Sequence, residues 1–270
     1  MIQPLILTVA PNGARKTKAD HPALPMADAE LAATAASCLE AGASMIHLHV
    51  RDTQGRHLLD ADAYHQATQA IRHEVGSRMI IQVTSEAAGR YQAPEQLAVI
   101  RATQPEAVSV ALREIVPDAS FEQAAADFLT WAKLCKIMVQ TILYDAQDVV
   151  RYRDLKSRGI IPEGQDFLLF VLGRYSADQT SQPLDILPFL AEAPQATPWA
   201  VCAFGSMENA CVLTATCLGG HARVGFENNL VLVDGTVAKD NTALIAQAAL
   251  GAGQIHRPIA DADFIRALLD

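Results

Sequence analysis

Short apolar runs of five to seven residues alternate along the chain with longer, Ala-rich stretches whose apolar positions recur at helical spacing. The short runs, at 4–10, 45–50, 79–84, 107–112, 137–143, 167–172, 198–204 and 222–226, predict strands. Several are almost wholly hydrophobic, as in parallel strands covered on both faces. The longer stretches, at 27–41, 61–75, 94–102, 121–134, 146–157, 184–190, 207–218 and 241–250, predict helices. Eight strands alternating strictly with eight helices imply α/β architecture closed into a (β/α)₈, or TIM, barrel. The expected organisation is one catalytic domain over 1–270 with a short C-terminal extension from about 252. An open doubly wound sheet would call for a GxGxxG turn after its first strand. The sequence there, Ala10-Pro11-Asn12-Gly13-Ala14-Arg15, does not match it.

Composition narrows the function classes. Half of the 270 residues are apolar, enough for a large core, and the net charge of −9 argues against nucleic acid. It does not exclude an anionic ligand, because a local site can be basic in an acidic protein. The five cysteines are odd in number and form no CxxC pair, which reads as reduced buried thiols in a cytoplasmic protein. The N-terminal run reaches Pro11 without a charged leader and reads as a strand rather than a signal peptide. No apolar run is long enough to span a membrane.

Barrel active sites lie at the C-terminal ends of the strands, so the polar residues there carry the functional reading. The second strand ends His47-Leu48-His49, and alternation points both imidazoles the same way, into the barrel. Buried without partners they would be costly; together they can ligate a metal. A catalytic zinc takes three protein ligands and keeps one position open, and His₂Glu is one such set. Glu227, just past the eighth strand, is the candidate third ligand, although spacing alone leaves open a solvated loop residue. Arg223, four residues earlier on the same face, needs an anionic partner.

Arg15, Lys16 and Lys18 follow the first strand and could bind an anion or simply be solvated. Thr84, Ser85 and Glu86 follow the third strand, and Arg113 and Glu114 the fourth. Ser206 could cap the helix after the seventh. His57, His65, His73 and His256 read as surface residues, with His21 and His221 nearer the rim. No GxSxG elbow, phosphate-binding loop or HExxH is present.

Two segments are far more specific than HxH alone. They are Gly42-Ala43-Ser44-Met45-Ile46-His47-Leu48-His49-Val50-Arg51-Asp52 and Gly219-Gly220-His221-Ala222-Arg223-Val224-Gly225-Phe226-Glu227-Asn228-Asn229. With them the chain resembles the β-keto acid cleavage enzymes, from Leu5 to about Leu250. The resemblance implies a (β/α)₈ barrel, a tetramer and one zinc per subunit on His47, His49 and Glu227. It implies condensation of a β-keto acid with acetyl-CoA to give acetoacetate and a new acyl-CoA.

Three departures from the family's prototype bear on mechanism and substrate. Asn228 stands where the prototype has the aspartate of an Arg–Asp pair, leaving Arg223 without it and moving the base to Glu86 or Glu114. Arg15 replaces a glutamate that grips a substrate ammonium, so the expected substrate has an anionic or neutral distal group. The loops at 84–89 and 110–114 also differ, with Thr84 or Ser85 left to bind the substrate carboxylate and with Arg15 and Asn228 as the other expected substrate-binding residues. Two other readings are a zinc-dependent retro-aldol lyase or hydrolase not using acetyl-CoA, and a non-catalytic metal- or anion-binding barrel.

Overall fold

The structure is a computed structural model that describes residues 3–164 and 166–268. Ten strands are named in chain order: β1 (Leu7–Val9), β2 (Met45–Leu48), β3 (Val50–Arg51), β4 (His57–Leu58), β5 (Ile80–Thr84), β6 (Ala107–Ala111), β7 (Met138–Leu143), β8 (Phe167–Leu172), β9 (Trp199–Ala203) and β10 (His221–Val224). Eight of them close a barrel in the cyclic order β1-β10-β9-β8-β7-β6-β5-β2, all neighbours parallel. The helices pack around it, confirming the expected (β/α)₈ barrel.

The predicted strands all appear, with changes at their ends. The run at 45–50 is interrupted at His49, whose carbonyl accepts a hydrogen bond from Asn12 Nδ2 at 3.0 Å instead of extending the ladder. β3 then pairs antiparallel with β4 in a small hairpin that the hydrophobic pattern does not reveal. The last strand stops at Val224 rather than 226. Gly225, at φ 145°, carries the chain past the Ala10 carbonyl so closely that a Cβ there would collide with it.

Helix boundaries follow the capping residues. Asp60, Asp145 and Asp240 each accept a backbone N–H at the start of α2 (Ala61–Val75), α6 (Ala146–Ser157) and α9 (Asn241–Gln254). Ser206 caps nothing: α8 (Glu208–Cys217) starts after Met207 with no side-chain cap. α10 (Ala262–Ala267) belongs to the expected C-terminal extension, and residues 269–270 lie outside the described residues. It closes the N-terminal end of the barrel, where Ala262 and Ile265 join Ile6, Met45 and Phe167 in one apolar cluster.

Alternation sorts the strand residues into inward layers. The lowest includes Ile6, Met45, Ile80, Met138 and Phe167. Above it lies a polar layer containing His47, Gln82, Ser109, Gln140 and Arg223, all buried. The upper layer opens into a cavity of about 260 Å³ at the C-terminal ends of the strands.

No helix among the described residues is long and apolar enough to cross a membrane. All five cysteines are free, but Cys135 and Cys217 are exposed rather than buried.

Candidate metal centre and active site

The floor of the cavity is built by β2, β5 and β10. His47 Nε2 and His49 Nε2 lie 3.0 Å apart, and the Glu227 carboxylate oxygens lie 3.6 Å from each of them. Tetrahedral ligands at zinc bond lengths of about 2.0–2.1 Å are separated by about 3.4 Å. The three side chains therefore fit a divalent ion, and they form the one such group of three or more donors among the described residues. Glu227 Oε2 is buried without a hydrogen-bond partner, as a donor atom waiting for a cation would be.

The surrounding shell fixes these donors. His47 Nδ1 donates to Gln82 Oε1 at 2.9 Å, which leaves Nε2 as the lone pair facing the cluster. Gln82 is held in turn by a 3.2 Å bond from its Nε2 to Gln140 Oε1. Burial, reinforced by the Arg223 charge, pushes the His47 pKa well below the usual imidazole value, so the ring stays neutral. Burial raises the Glu227 carboxyl pKa, but the Arg223 guanidinium and a hydrogen bond from His49 more than offset it and hold the carboxyl well below the usual carboxylate range. Gly13, at φ 63°, permits the carboxylate's position: a Cβ there would sit 2.5 Å from Glu227 Cγ.

Arg223 is buried, with Nη2 3.2 Å from Glu227 Oε1. Its Nε and Nη1 have no hydrogen-bond partner, so donors remain available at the cavity wall. Lys16 Nζ donates to the Glu227 carbonyl at 2.6 Å, and burial lowers its pKa. Arg51, which the strand pattern does not single out, donates to the carbonyls of Gly13, Ala14 and Lys16 and so moulds this loop.

The predicted carboxylates separate into two roles. Glu86 lines the cavity with no hydrogen-bond donor on its side chain among the described residues; Arg174 lies 3.8 Å and His49 3.9 Å from its carboxylate. Glu114 also lines the cavity, but its Oε2 accepts from Ala87 N at 2.9 Å and from Gln96 Nε2 at 2.7 Å. Burial raises its pKa. Glu86 thus carries no hydrogen-bond donor among the described residues, and Glu114 anchors the loop that carries it.

Of the expected substrate-binding residues, Thr84 and Arg15 line the cavity, Arg15 at its exposed lip. Ser85 and Asn228 do not. Ser85 Oγ points the other way and donates to the Ser109 carbonyl at 3.0 Å. The Asn228 amide is buried with neither atom hydrogen-bonded. Arg113 faces Asp145 and Asp148 rather than the site.

His57 departs from the surface reading. It is buried, its Nε2 donates to the Glu86 carbonyl at 2.8 Å, and burial lowers its pKa to about 3. Tyr144 and Arg174, which follow β7 and β8, line the cavity and escaped the sequence reading. Inspecting the end of every strand would have found both.

A (β/α)₈ barrel with a convergent His₂Glu set at its catalytic end has the architecture of a metal-assisted enzyme working on a small molecule. Sequence comparison makes the assignment: the chain belongs to the β-keto acid cleavage enzyme family, whose profile matches residues 4–270.

It is 29% identical to a 3-keto-5-aminohexanoate cleavage enzyme of Fusobacterium nucleatum, covering 100% of this chain and 98% of the other. It is also 29% identical to a 3-oxoadipate:acetyl-CoA acetyltransferase of Cupriavidus necator, covering 100% and 95%. The fold resembles that of ObcA in a binary complex with oxaloacetate, at a TM-score of 0.68 and 16% identity over 92% of this chain and 67% of that one.

Proposed function

We propose that the protein converts a β-keto acid and acetyl-CoA into acetoacetate and an acyl-CoA, using one zinc ion held by His47, His49 and Glu227. The observation that carries this reading is the convergence of those three donors beside the Glu86 carboxylate, which accepts no hydrogen bond among the described residues, and the free donors of Arg223. Zinc would supply Lewis-acid polarisation and a template for the keto and carboxylate oxygens.

The chain's own groups account for the remaining steps. Glu86 takes the proton from the substrate's α-carbon, between its keto and carboxylate groups. Arg223 stabilises the negative charge that develops on the thioester oxygen. The substrate's α-carbon then attacks the thioester carbonyl carbon and expels CoA thiolate, which adds to the substrate's keto carbon. The bond between the keto carbon and the α-carbon breaks, leaving the acyl group on CoA, and Glu86 returns its proton to the departing acetoacetate carbanion. The Thr84 hydroxyl binds the substrate carboxylate.

The cations lining the cavity, Arg15, Lys16 and Arg174, support an anionic distal group, as does the likeness to the 3-oxoadipate enzyme. By family resemblance we take the protein as a cytoplasmic homotetramer.

The test is acetoacetate formation by protein of measured zinc content, with acetyl-CoA and β-keto acids of anionic, neutral and cationic ends, and His47→Ala as control. Product lost in the control is the expected result. Cleavage that proceeds equally without acetyl-CoA would favour a retro-aldol lyase, a reading that the absence of the family's aspartate at Asn228 keeps alongside.

A further inference from the structure

We infer that Arg174, seated on the Phe204 ring, is the anchor for the distal carboxylate of the substrate, which makes this a site for short β-keto dicarboxylates. The inference rests on the functional reading above for where the substrate's reacting end lies.

Topology supplies the placement. Arg174 follows β8, which lies four strands from β2 in either direction around the barrel, directly across from His47 and His49. Between these poles the upper layer of the wall is apolar, made of Ala111, Ile142, Val171 and Phe204. A hydrocarbon spacer fits such a wall, and its far end arrives at Arg174. The span is short, because Glu86 lies within 3.9 Å of His49 and 3.8 Å of Arg174. A six-carbon chain reaches roughly 6 Å end to end from C–C bonds of about 1.5 Å.

The state of the guanidinium supports a ligand. Its side chain is only 14% exposed, yet it forms no hydrogen bond among the described residues, and the Glu86 carboxylate at 3.8 Å is beyond hydrogen-bonding range. A mostly buried fork of unused donors matches a carboxylate bidentately. Its position is built rather than incidental. The guanidinium carbon sits 5.3 Å from the centre of the Phe204 ring.

The loop behind it is tied by Ser176 Oγ, which accepts from Thr180 N and has the carbonyls of Gly173 and Thr180 within reach of its one proton. Gly173, at φ 77°, lets that loop fold back, since a Cβ there would lie 2.6 Å from the Thr180 carbonyl oxygen. Arg15, by contrast, is exposed at the lip, where water competes for its charge.

The experiment compares wild type, Arg174→Met, Arg174→Lys and Arg15→Met in two assays. In turnover, the probes are 3-oxoadipate and its neutral analogue of equal length, 3-oxohexanoate. Arg174→Met should lower kcat/KM for 3-oxoadipate by about tenfold or more, mainly through KM, and spare 3-oxohexanoate, while Arg174→Lys recovers part of the loss. In calorimetry on zinc-loaded protein without acetyl-CoA, adipate should bind at least about tenfold more tightly than hexanoate, and Arg174→Met should abolish that preference.

Equal losses on both probes, no preference in wild type, or a carboxylate-selective loss in Arg15→Met instead would each overturn the assignment. If no β-keto acid is turned over but the calorimetric preference disappears in Arg174→Met, the proposed reaction fails and the subsite stands.

Discussion

The two halves of the barrel mouth are built from the same alternating strands and do opposite things. On the side of β10, β1, β2 and β5 the inward residues at the cavity are Arg223, His47 and Thr84, with Glu227 just above them. On the side of β6 to β9 they are Ala111, Ile142, Val171 and Phe204. The polar half carries its own support, with Gln82, Gly13 and Arg51 holding donors or loops in place. The apolar half carries its charges only above the wall, at Glu114 and Arg174. Buried charges and lone pairs need fixed partners, whereas an apolar wall needs only shape. Chemistry and substrate choice are therefore divided between the halves, and mutations should separate them.

The largest expected effect comes from the polar half. His47→Ala or Glu227→Gln should lower kcat by about a thousandfold or more, from the loss of several kcal/mol of electrophilic stabilisation, with zinc content falling in parallel. Elemental analysis together with kinetics checks this, and full activity in zinc-free protein would remove the metal from the mechanism. Gln82→Ala touches no substrate, yet it frees His47 Nδ1 and should weaken zinc binding by about 10- to 100-fold. Competition with a chromogenic chelator reads that constant. A loss confined to kcat at saturating zinc would instead make Gln82 a direct participant.

Much of this division was legible in the sequence, and the gaps have physical causes. His47 and Arg223 could be placed because inward alternation survives along a strand as long as the ladder does, whereas His49 and Glu227 lie past the ends of β2 and β10 and were legible as the donors that complete a metal set. Alternation fails where the ladder ends. Thr84 closes β5 facing the cavity, so Ser85 faces away, and the left-handed φ of Gly225 breaks the register before Asn228. One residue of phase exchanges the two faces.

His57 read as polar surface because the hairpin that buries it depends on Asn12, 37 residues before His49, drawing the His49 carbonyl out of the sheet. Arg174 and Tyr144 carry no motif. Only the closed barrel shows that the loop after β8 faces the histidines.

The apolar half should respond in affinity and leave the metal alone. Ile142→Ala removes about three carbons from the wall, each worth about 0.8 kcal/mol when fully buried. Because the side chain already borders a cavity, only part of this is lost, and KM for the β-keto acid should rise about three- to tenfold with kcat and zinc content unchanged. A comparable fall in kcat would mean that the wall positions the reacting carbons and that the two halves are not separable.

The smallest effect on turnover, and the sharpest on pH behaviour, belongs to Glu208 beneath the polar half. Its carboxyl accepts from Gly225 N at 3.1 Å and from Asn229 Nδ2 at 3.2 Å, and burial pushes its pKa from the ordinary 4.5 up to about 8. The folded protein therefore holds a proton that the unfolded chain releases across that window. This contribution to stability is fully present below about pH 4.5 and is lost as pH rises to about 8, with a slope of up to about 1.4 kcal/mol per pH unit.

Glu208→Gln fixes the neutral form. It should match wild type near pH 5, exceed it near pH 8, and flatten the slope in urea unfolding of zinc-free protein. Ile142→Ala leaves every buried carboxyl in place, so it should shift the whole curve and keep its shape. If Glu208→Gln retains the wild-type slope, the pH response arises elsewhere, and the loop that carries Glu227 is held by a carboxylate that stays charged.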